Sequence, residues 1–395
     1  MKEARPDRRK FIRATVESAA GLAAISAFSM DAFAGTGDGP VVESKETNAT
    51  QAQPKTSSPK IKFAVIGINH DHIHGQITTV ERGGGELVSF YAKEPDLAAA
   101  FAQRYPQAKL ARNENEILED QTIQLVASAA IPNERAPLGI RVMRHGKDFM
   151  SDKPAATTLE QLAEVRRVQA ATRRIYSITY SERLDSRATV RAGELVKAGA
   201  IGTVIQTVGL GPHRENPPVR PAWFYDREKY GGVLCDIGSH QADQFLFFTG
   251  STSAQVVASQ VGNVHHPQQP GLDDFGDFIM RGNRGTGYVR IDWFTPAGLG
   301  VWGDVRLTIL GTDGYIELRK NVDVAGRPGG NHLFLVDKKE TRYLDCSSQS
   351  LPYGEQLVSD ILNRTETAMS QEHCFLATEL ALKAQKQAQR LNFKS

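Results

Sequence analysis

Apolar and polar positions follow one pattern from residue 61 to residue 180. Short apolar runs that end at turn residues alternate with longer helix-period segments, which is typical of βαβ units and a buried parallel sheet. The predicted strands are Ile61–Gly67, Leu87–Tyr91, Ile123–Ala129, 149–150 and Ile175–Tyr180. The predicted helices are Pro95–Tyr105, Pro137–His145 and Leu159–Ala171. We therefore expect a first domain over residues 61–180.

The pattern changes after residue 180, where strands follow one another without long helices between them. The predicted strands are Thr203–Leu210, Ala254–Val261, Asp277–Met280, Thr286–Phe294, Val305–Leu310 and Tyr315–Leu318. The predicted helices are Ser186–Ala198, Ser239–Phe248 and a closing helix over Ser370–Leu391. This order predicts a second domain, residues 181–395, with a large, mainly antiparallel open sheet. The predicted fold class is α/β.

The first 60 residues differ from the rest. Arg8-Arg9-Lys10 precedes an Ala/Gly-rich apolar stretch that ends at Ala32-Phe33-Ala34, so residues 1–34 resemble a twin-arginine export signal with its cleavage site. Residues 35–60 are rich in Gly, Ser, Thr and Pro, which predicts a flexible linker. We expect an exported, periplasmic protein without a membrane anchor; the alternative is a basic N-terminus with no targeting role.

Composition and charge narrow the function classes. The 395 residues are 40% hydrophobic and 23% charged, with a formal net charge of +2. No long basic run follows residue 15, which argues against binding of nucleic acid or anionic membranes and favours a small neutral substrate. Cys235, Cys346 and Cys374 form no close pair, so neither a disulfide framework nor a zinc knuckle is predicted, and at most one disulfide is possible.

The turn after the first strand is the expected nucleotide site. In a Rossmann domain this turn places backbone N–H groups and a helix N-terminus against the cofactor pyrophosphate. Here it reads Gly67-Ile68-Asn69-His70-Asp71-His72, which keeps only the first glycine of G-x-G-x-x-G. Asn tolerates left-handed backbone angles, and Gly75 is a substitute for the third glycine in helix packing. Gly67, Ile68, Asn69, His70 and His72 are therefore predicted cofactor contacts.

The end of the second strand bears on the choice of cofactor. NAD-binding domains place a carboxylate there to bind the ribose, whereas this chain has Ala92 followed by Lys93. A missing acid and an added cation favour the 2′-phosphate of NADP. The alternative is that Glu94 binds the ribose of NAD while Lys93 is solvated.

The run His70-Asp71-His72-Ile73-His74 raises the question of a metal. Closely spaced imidazoles are common ligand sets. These residues, however, lie in a turn expected to face phosphates, and no further ligand is evident from the sequence. Histidines that hydrogen-bond ribose, phosphate or backbone are the favoured interpretation, and no metal is predicted.

Two further motifs carry the chemistry. Ser151-Asp152-Lys153-Pro154 follows a strand of the first domain, and Gly231-Gly232-Val233-Leu234-Cys235-Asp236-Ile237-Gly238-Ser239-His240 lies in the second. Together they resemble the Glu-Lys-Pro motif and the Asp-x-x-x-His pair of the glucose–fructose oxidoreductase and inositol dehydrogenase (Gfo/Idh/MocA) family. The resemblance extends from residue 61 to the C-terminus. It implies a Rossmann domain followed by an open sheet domain.

The resemblance also implies residue roles. Lys153, Asp236 and His240 match the catalytic positions, and Pro132, Asn133 and Lys153 lie on the cofactor side. Substrate contacts are expected from Arg183, His213, Trp223, Tyr225 and Asp243. Asp152 in place of Glu, and Arg135 where the family often has His, depart from the pattern.

The chemistry fits these roles. Imidazole titrates near neutrality and suits His240 as the base for a hydroxyl proton, and Lys153 would stabilise charge on the same oxygen. Asp236 is placed to orient the ring of His240 or to bind a substrate hydroxyl. The structural alternatives are a surface lysine, a helix-capping Asp236, and core positions for Trp223 and Tyr225.

The predicted function is an NAD(P)-dependent oxidoreductase acting by hydride transfer on a sugar, polyol or related hydroxyl or carbonyl. The resemblance implies a tightly held cofactor and self-association through the sheet domain. Two alternatives remain open. One is redox-assisted glycoside cleavage at the same site, and the other is a cofactor-free binding protein on this fold, suggested by the eroded glycine motif.

Overall fold

The computed structural model describes residues 60–392. The predicted export signal, residues 1–34, lies outside the described residues, as does the predicted linker up to residue 59. Within residues 60–392, no helix combines the length and the apolar character needed to cross a membrane.

The first half builds a parallel sheet. Its strands are β1 (Ile61–Ile66), β2 (Gly85–Tyr91), β3 (Lys109–Leu110), β4 (Leu125–Ser128), β5 (Asp148–Asp152) and β6 (Tyr176–Thr179). Its helices are α1 (His72–Arg82), α2 (Pro95–Arg104), α3 (Glu114–Glu119), α4 (Pro132–Arg144) and α5 (Leu159–Thr172). The strand order is β3-β2-β1-β4-β5-β6, and every pair is parallel. The order reverses between β1 and β4, which is where such sheets bind ligands.

Helix α4 begins earlier than predicted. The sequence pattern placed its start at Pro137, but the helix begins at Pro132 and contains Pro137. Proline fits the first helical position because its missing N–H has no partner there. Pro137 leaves the carbonyl of Asn133 without its usual helical donor, and the side-chain amide of Gln161 on α5 donates to that carbonyl at 2.9 Å. A contact between helices thus replaces the lost backbone bond.

The second half builds a larger sheet. Its strands are β7 (Val204–Pro212), β8 (Ala254–Gly262), β9 (Phe275–Gly282), β10 (Thr286–Asp292), β11 (Arg306–Gly311), β12 (Gly314–Arg319), β13 (His332–Asp337), β14 (Thr341–Asp345) and β15 (Gln389–Arg390). Its helices are α6 (Ser181–Leu184), α7 (Arg187–Lys197), α8 (Arg227–Tyr230), α9 (Val233–Asp236), α10 (Gly238–Thr249), α11 (Tyr353–Asn363) and α12 (Gln371–Gln387). Short 3₁₀ turns occur at Pro217–Val219, Ala222–Tyr225 and Ala297–Leu299.

This sheet is mixed and mostly antiparallel, as the sequence predicts. Its order is β14-β13-β12-β11-β7-β10-β9-β8-β15, and only β7–β10 and β8–β15 pair in parallel. Sequence reasoning missed the β13–β14 hairpin. Strand β14 is almost wholly exposed, so it lacks the apolar alternation that identifies a half-buried strand.

The C-terminal helices return to the first sheet. Helix α11 lies against α1 so closely that a Cβ on Gly83 would come 2.2 Å from the carbonyl oxygen of Gly354. On α12, Gln371 accepts a 2.8 Å hydrogen bond from the backbone N–H of Tyr176 on β6. Cys235, Cys346 and Cys374 are buried free thiols. Helix α12 thus packs against both sheets, at β6 and at β8.

Candidate active site

The turn after β1 requires glycine at its first position. Gly67 has φ +77°, a left-handed conformation, and a Cβ there would lie 2.5 Å from the Cβ of Ala130. Gly75 meets nothing within 4 Å, so the expectation that it replaces the third glycine in packing against the sheet is wrong. That third position belongs to His72, whose side chain turns towards β5 instead.

A cavity of about 220 Å³ opens beside this turn, at the carboxyl ends of β1, β2 and β4. It is lined by Ile66, Gly67, Asn69, Tyr91, Lys93, Glu94, Glu114, Ala130, Asn133, Glu134, Pro137, Leu138 and Arg141. Four predicted cofactor residues, Gly67, Asn69, Lys93 and Asn133, are therefore brought together. Ile68 and Pro132 are buried outside this lining. The position of this cavity, with Gly67 in its lining, suits the adenosine half of a dinucleotide.

Four of the five charged side chains that line this cavity form ion pairs. Lys93 Nζ lies 2.8 Å from Glu134 Oε2, and Arg141 lies 2.7 Å from Glu114. The hydrogen bond to Glu134 raises the pKa of Lys93. Glu94 accepts a 2.9 Å hydrogen bond from the amide of Asn69. Sequence reasoning missed Glu114, Glu134 and Arg141 because they join the cavity from α3 and α4.

Lys153 and Asp236 form an ion pair at the centre of the site. Lys153 follows β5, and its Nζ donates to Asp236 Oδ1 at 2.7 Å; both side chains are largely buried. Lys153 precedes a cis peptide bond to Pro154. Asp236 ends the short helix α9. The surface-lysine alternative is therefore wrong, because this ammonium is enclosed and paired.

A buried arginine clamps the segment that carries Lys153. Arg135, 1% exposed, donates to the backbone carbonyls of Lys153, Pro154 (3.2 Å) and Ala130 (2.7 Å). Its Nη2 also lies 3.0 Å from Asp152 Oδ2, in an ion pair. Arg135, which departs from the family pattern, therefore positions the backbone of Lys153. Sequence reasoning had assigned no role to it.

His240 lies on α10 and is 2% exposed. Its Nδ1 is buried without a hydrogen-bond partner among the described residues. Burial, followed by the positive charge of Lys153, lowers the pKa of His240 well below its ordinary value, so the ring is neutral at physiological pH. Asp236 bonds to Lys153 and is not a partner of that nitrogen, so in this structure it does not orient the ring through Nδ1.

His70 and His72, from the turn after β1, meet Asp152, the residue before Lys153. One ring nitrogen or carboxylate oxygen from each lies within 4.8 Å of the others. His72 Nδ1 is 3.0 Å from Asp152 Oδ1, and the two imidazole rings are 4.0 Å apart. Burial, followed by the charge of His72, lowers the pKa of His70 well below its ordinary value.

This cluster is a poor cation site electrostatically. Asp152 already has Arg135 as its ion-pair partner, Lys153 adds a second positive charge nearby, and His72 begins helix α1 at its positive end. A divalent cation would add to charges of the same sign.

Three of the five predicted substrate residues lie near the centre. His213 follows β7 in a ring contact with Trp302, and burial, followed by the charge of Lys153, lowers its pKa to about 3. Trp223 is partly buried with its ring 6.3 Å from that of His70. Tyr225 donates to Glu215 at 3.1 Å. Tyr225 lies in the same short 3₁₀ turn as Trp223.

Arg183 and Asp243, by contrast, are not placed to contact substrate. They form a two-pronged buried ion pair at 2.7 and 2.8 Å, and His373 on α12 also bonds to Asp243 at 2.8 Å. Their donors and acceptors are used in joining α6, α10 and α12. The substrate role assigned to both is corrected to a structural one.

Arg220 is a charged group that sequence reasoning missed. Its guanidinium lies over the rings of Phe224 and Trp293, and burial lowers its pKa although Asp236 raises it. It therefore stands near the Lys153–Asp236 pair. Arg220 lies in a loop after two prolines. The sequence there has no helix or strand periodicity that would have indicated a site residue.

Comparisons with known proteins agree with this geometry. Residues 61–180 match the family model for an oxidoreductase with an NAD-binding Rossmann fold, and residues 189–317 match the GFO/IDH/MocA C-terminal domain. A 1,5-anhydro-D-fructose reductase from Ensifer adhaerens is 27% identical over 262 residues, which is 65% of this chain and 74% of that protein. A levoglucosan dehydrogenase from Pseudarthrobacter phenanthrenivorans is 24% identical over 201 residues, 50% of this chain and 51% of that protein.

Solved structures share the fold. A candidate oxidoreductase from Erwinia carotovora atroseptica is 46% identical, covers 84% of this chain with all of its own, and superposes with a TM-score of 0.82. A levoglucosan dehydrogenase complex with NADH and levoglucosan is 17% identical, covers 82% of this chain and 95% of its own, and has a TM-score of 0.67. The chain therefore belongs to the GFO/IDH/MocA family and is an oxidoreductase with an NAD(P)-binding Rossmann domain.

Proposed function

We propose that this protein oxidises a secondary hydroxyl of a sugar or polyol, or reduces the matching carbonyl, with a tightly held nicotinamide dinucleotide. The observation that carries the proposal is the enclosed Lys153–Asp236 pair with the neutral His240 beside it. Relatives named as acting on 1,5-anhydro-D-fructose and levoglucosan support a carbohydrate substrate. The small net charge of +2 agrees with a neutral substrate.

The described residues fit a dinucleotide. The left-handed Gly67 leaves the cavity entrance open, and a Cβ at that position would collide with Ala130. Asn69 and Asn133 supply neutral hydrogen-bonding groups in the lining of the cavity. When bound, the nicotinamide accepts or returns the hydride.

The protein's own groups handle the proton and the charge. Neutral His240 takes the hydroxyl proton, a role that needs an unprotonated imidazole. The ammonium of Lys153 stabilises negative charge on the substrate oxygen. Asp236 fixes the ammonium at 2.7 Å, and Arg135 holds the backbone that carries it. Lys153 from the first half of the chain and His240 from the second half therefore act on the same substrate oxygen.

NADP is the proposed cofactor, because Lys93 stands where the ribose-binding acid is missing. Its pairing with Glu134 means that a 2′-phosphate would have to compete with a carboxylate. Bound nucleotide, identified by mass spectrometry after denaturation, distinguishes the two cofactors. NAD alone would overturn this choice, and in that case Glu94→Ala should weaken NADH fluorescence titrations more than Lys93→Ala.

The activity test uses purified protein, a panel of sugars and polyols, and Lys153→Met and His240→Asn variants. Loss of a general base or of a charge-stabilising group lowers kcat by roughly 10²–10⁴-fold. His332→Asn is the matched control, because His332 is a buried histidine in β13 bonded to Tyr343 and Gly329. Full activity in both site variants would refute the assignment.

We also propose export through the twin-arginine route, on the strength of Arg8-Arg9 and the Ala32-Phe33-Ala34 site. Cell fractionation of the native producer, or of a heterologous host, tests it. The wild-type chain should be found in the periplasm and an Arg8→Lys, Arg9→Lys double variant should remain in the cytoplasm. Equal distribution of the two would contradict the proposal.

A further inference from the structure

Asp236 belongs to a helix that is too short to fix its own position. Helix α9 has only four residues, Val233–Asp236, and Gly231 and Gly232 precede it with φ of +87° and +96°. The first N–H groups of a helix have no partner within it, and Gly232, the N-cap, has no side chain that could accept from them. The placement of Asp236 therefore depends on contacts from outside α9.

Gln385 on α12 supplies such a contact. Its side-chain oxygen Oε1 accepts a 2.9 Å hydrogen bond from the backbone N–H of Leu234, the second residue of α9. The amide lies so close to this segment that a Cβ on Gly232 would come 2.2 Å from Cδ of Gln385. Glycine at this position thus meets two needs, a positive φ and room for the amide. Gln385 therefore caps a helix that is 151 positions away in the sequence.

The amide of Gln385 is itself held in one orientation. Its Nε2 donates to Oδ2 of Asp273 at 2.9 Å, and Asp273 is 0% exposed. The other oxygen of Asp273 accepts from Arg227 and, at 2.6 Å, from Arg390. A carboxylate only accepts, so the amide nitrogen faces Asp273 and the amide oxygen faces Leu234. The charges around Asp273 therefore set the direction of the cap.

Direct contacts connect this cap with the reacting groups. Leu234 lies two residues before Asp236, whose Oδ1 accepts from Lys153 Nζ at 2.7 Å. Between them, the thiol of Cys235 donates to the carbonyl of Ala156 at 3.4 Å. Helix α9 is thus held both by the cap and by the segment that follows Lys153. These contacts set where the Asp236 carboxylate lies.

We propose that Gln385 is a positioning residue for the reaction, because its cap on α9 holds the carboxylate of Asp236 where it fixes the ammonium of Lys153. The inference rests on the proposed hydride transfer and deepens it. The hydrogen bonds of Gln385 go to Leu234 and Asp273 rather than to the reacting groups, so it acts through Asp236. Without the cap, the ammonium would no longer meet the substrate oxygen in a single position.

Replacement of Gln385 by Met tests the cap. Met keeps the length of the side chain but has no N–H donor and only a weak acceptor. We expect kcat per bound dinucleotide to fall about ten- to a hundredfold, since small misplacements of reacting groups have effects of this order. Dinucleotide affinity should stay unchanged, because other elements line that cavity. Gln387→Met is the matched control, because Gln387 lies exposed on the same helix with its amide on the carbonyl of Val256.

A double-variant cycle with Asp236→Asn distinguishes positioning from a general structural role. If Gln385 acts through Asp236, adding Gln385→Met to Asp236→Asn should change kcat by no more than about twofold. Independent effects would multiply, and a product of the two single losses would overturn the proposal. Hydride transfer in these slow variants is followed in single turnovers by the absorbance of reduced nicotinamide.

The ammonium of Lys153 gives a readout that does not depend on activity. Its side chain is 6% exposed and paired, so acetic anhydride should label it slowly, as measured by mass spectrometry. Labelling should be faster in both variants of the cycle and unchanged in the control. Lys147 is the internal reference, because this buried ammonium donates to two backbone carbonyls of the first domain.

The outcomes are separable. Unchanged kcat in Gln385→Met, or unchanged labelling of Lys153, would overturn the positioning role. Faster labelling of Lys153 and Lys147 together would show a general loosening of the fold and would overturn it as well. If the wild type turns over no sugar or polyol with a dinucleotide, the proposed function fails. The labelling of Lys153 alone then decides whether Gln385 positions Asp236.

Discussion

Replacement of Arg135 by Met should be one of the most damaging single changes in the Rossmann half. The substitution preserves much of the apolar stem but removes a guanidinium that pairs with Asp152 and donates to the carbonyls of Ala130, Lys153 and Pro154. Removal of one partner from a buried ion pair costs about 3–5 kcal/mol, because the other charge stays buried without compensation. The freed carbonyls add to this cost, but not additively.

Urea unfolding followed by linear extrapolation measures the loss. The control is Arg144→Met on the same helix, because Arg144 pairs with Glu164 at 3.0 Å in solvent and such pairs contribute about 0–1 kcal/mol. Adding Asp152→Asn to the Arg135→Met chain should recover part of the loss, since the unpaired carboxylate is gone. A loss below about 1 kcal/mol at an unchanged m-value, or no recovery in the double variant, would refute the reasoning.

Three further predictions follow from local geometry. Gly67→Ala should abolish nucleotide binding in a fluorescence titration, because of its left-handed φ and the 2.5 Å Cβ contact, whereas Gly75→Ala should bind normally. Burial holds the folded-state pKa of His213 at about 3, below the unfolded value, so stability should fall as pH drops from about 6.5 towards 3, by at most about 1.4 kcal/mol per pH unit. His213→Asn should flatten that slope in acid unfolding, and an unchanged slope would contradict the assignment. We propose that the exposed sheet face with Leu310 and Ile279 joins two copies of the chain, so a Leu310→Glu, Ile279→Glu variant should lower the mass measured by light scattering; an unchanged mass would exclude this face.

The periodicity of the sequence predicted most of the fold, and the elements that it missed have identifiable causes. The βαβ alternation predicted the parallel sheet, and closely spaced strands predicted the mixed sheet. The start of α4 was missed because Pro137 is tolerated only with the help of Gln161. The exposed strand β14 carries no apolar alternation.

The site, like the fold, was predicted only in part from the sequence. The resemblance of two motifs to the family identified Lys153 and Asp236, and the structure places them 2.7 Å apart although 83 positions separate them in sequence. The same reasoning assigned Arg183 and Asp243 to substrate, whereas they bind each other. Composition cannot distinguish a charge that faces a cleft from one that is neutralised in the interior, because that depends on which distant side chain arrives beside it.

The sequence by itself therefore determined the element order, the fold class and the residue types available for chemistry. These depend on periodicity and on short motifs, which are local properties of the chain. Only the tertiary structure decided which groups contact each other. It pairs His72 with Asp152 across 80 positions and places Arg135 against the backbone of Lys153. It also leaves His72 partly exposed to solvent while it buries His240. The pairing of parallel strands fixes which strand ends lie side by side, and this determines the hydrogen bonds and the burial of the site residues. No local sequence pattern specifies that pairing.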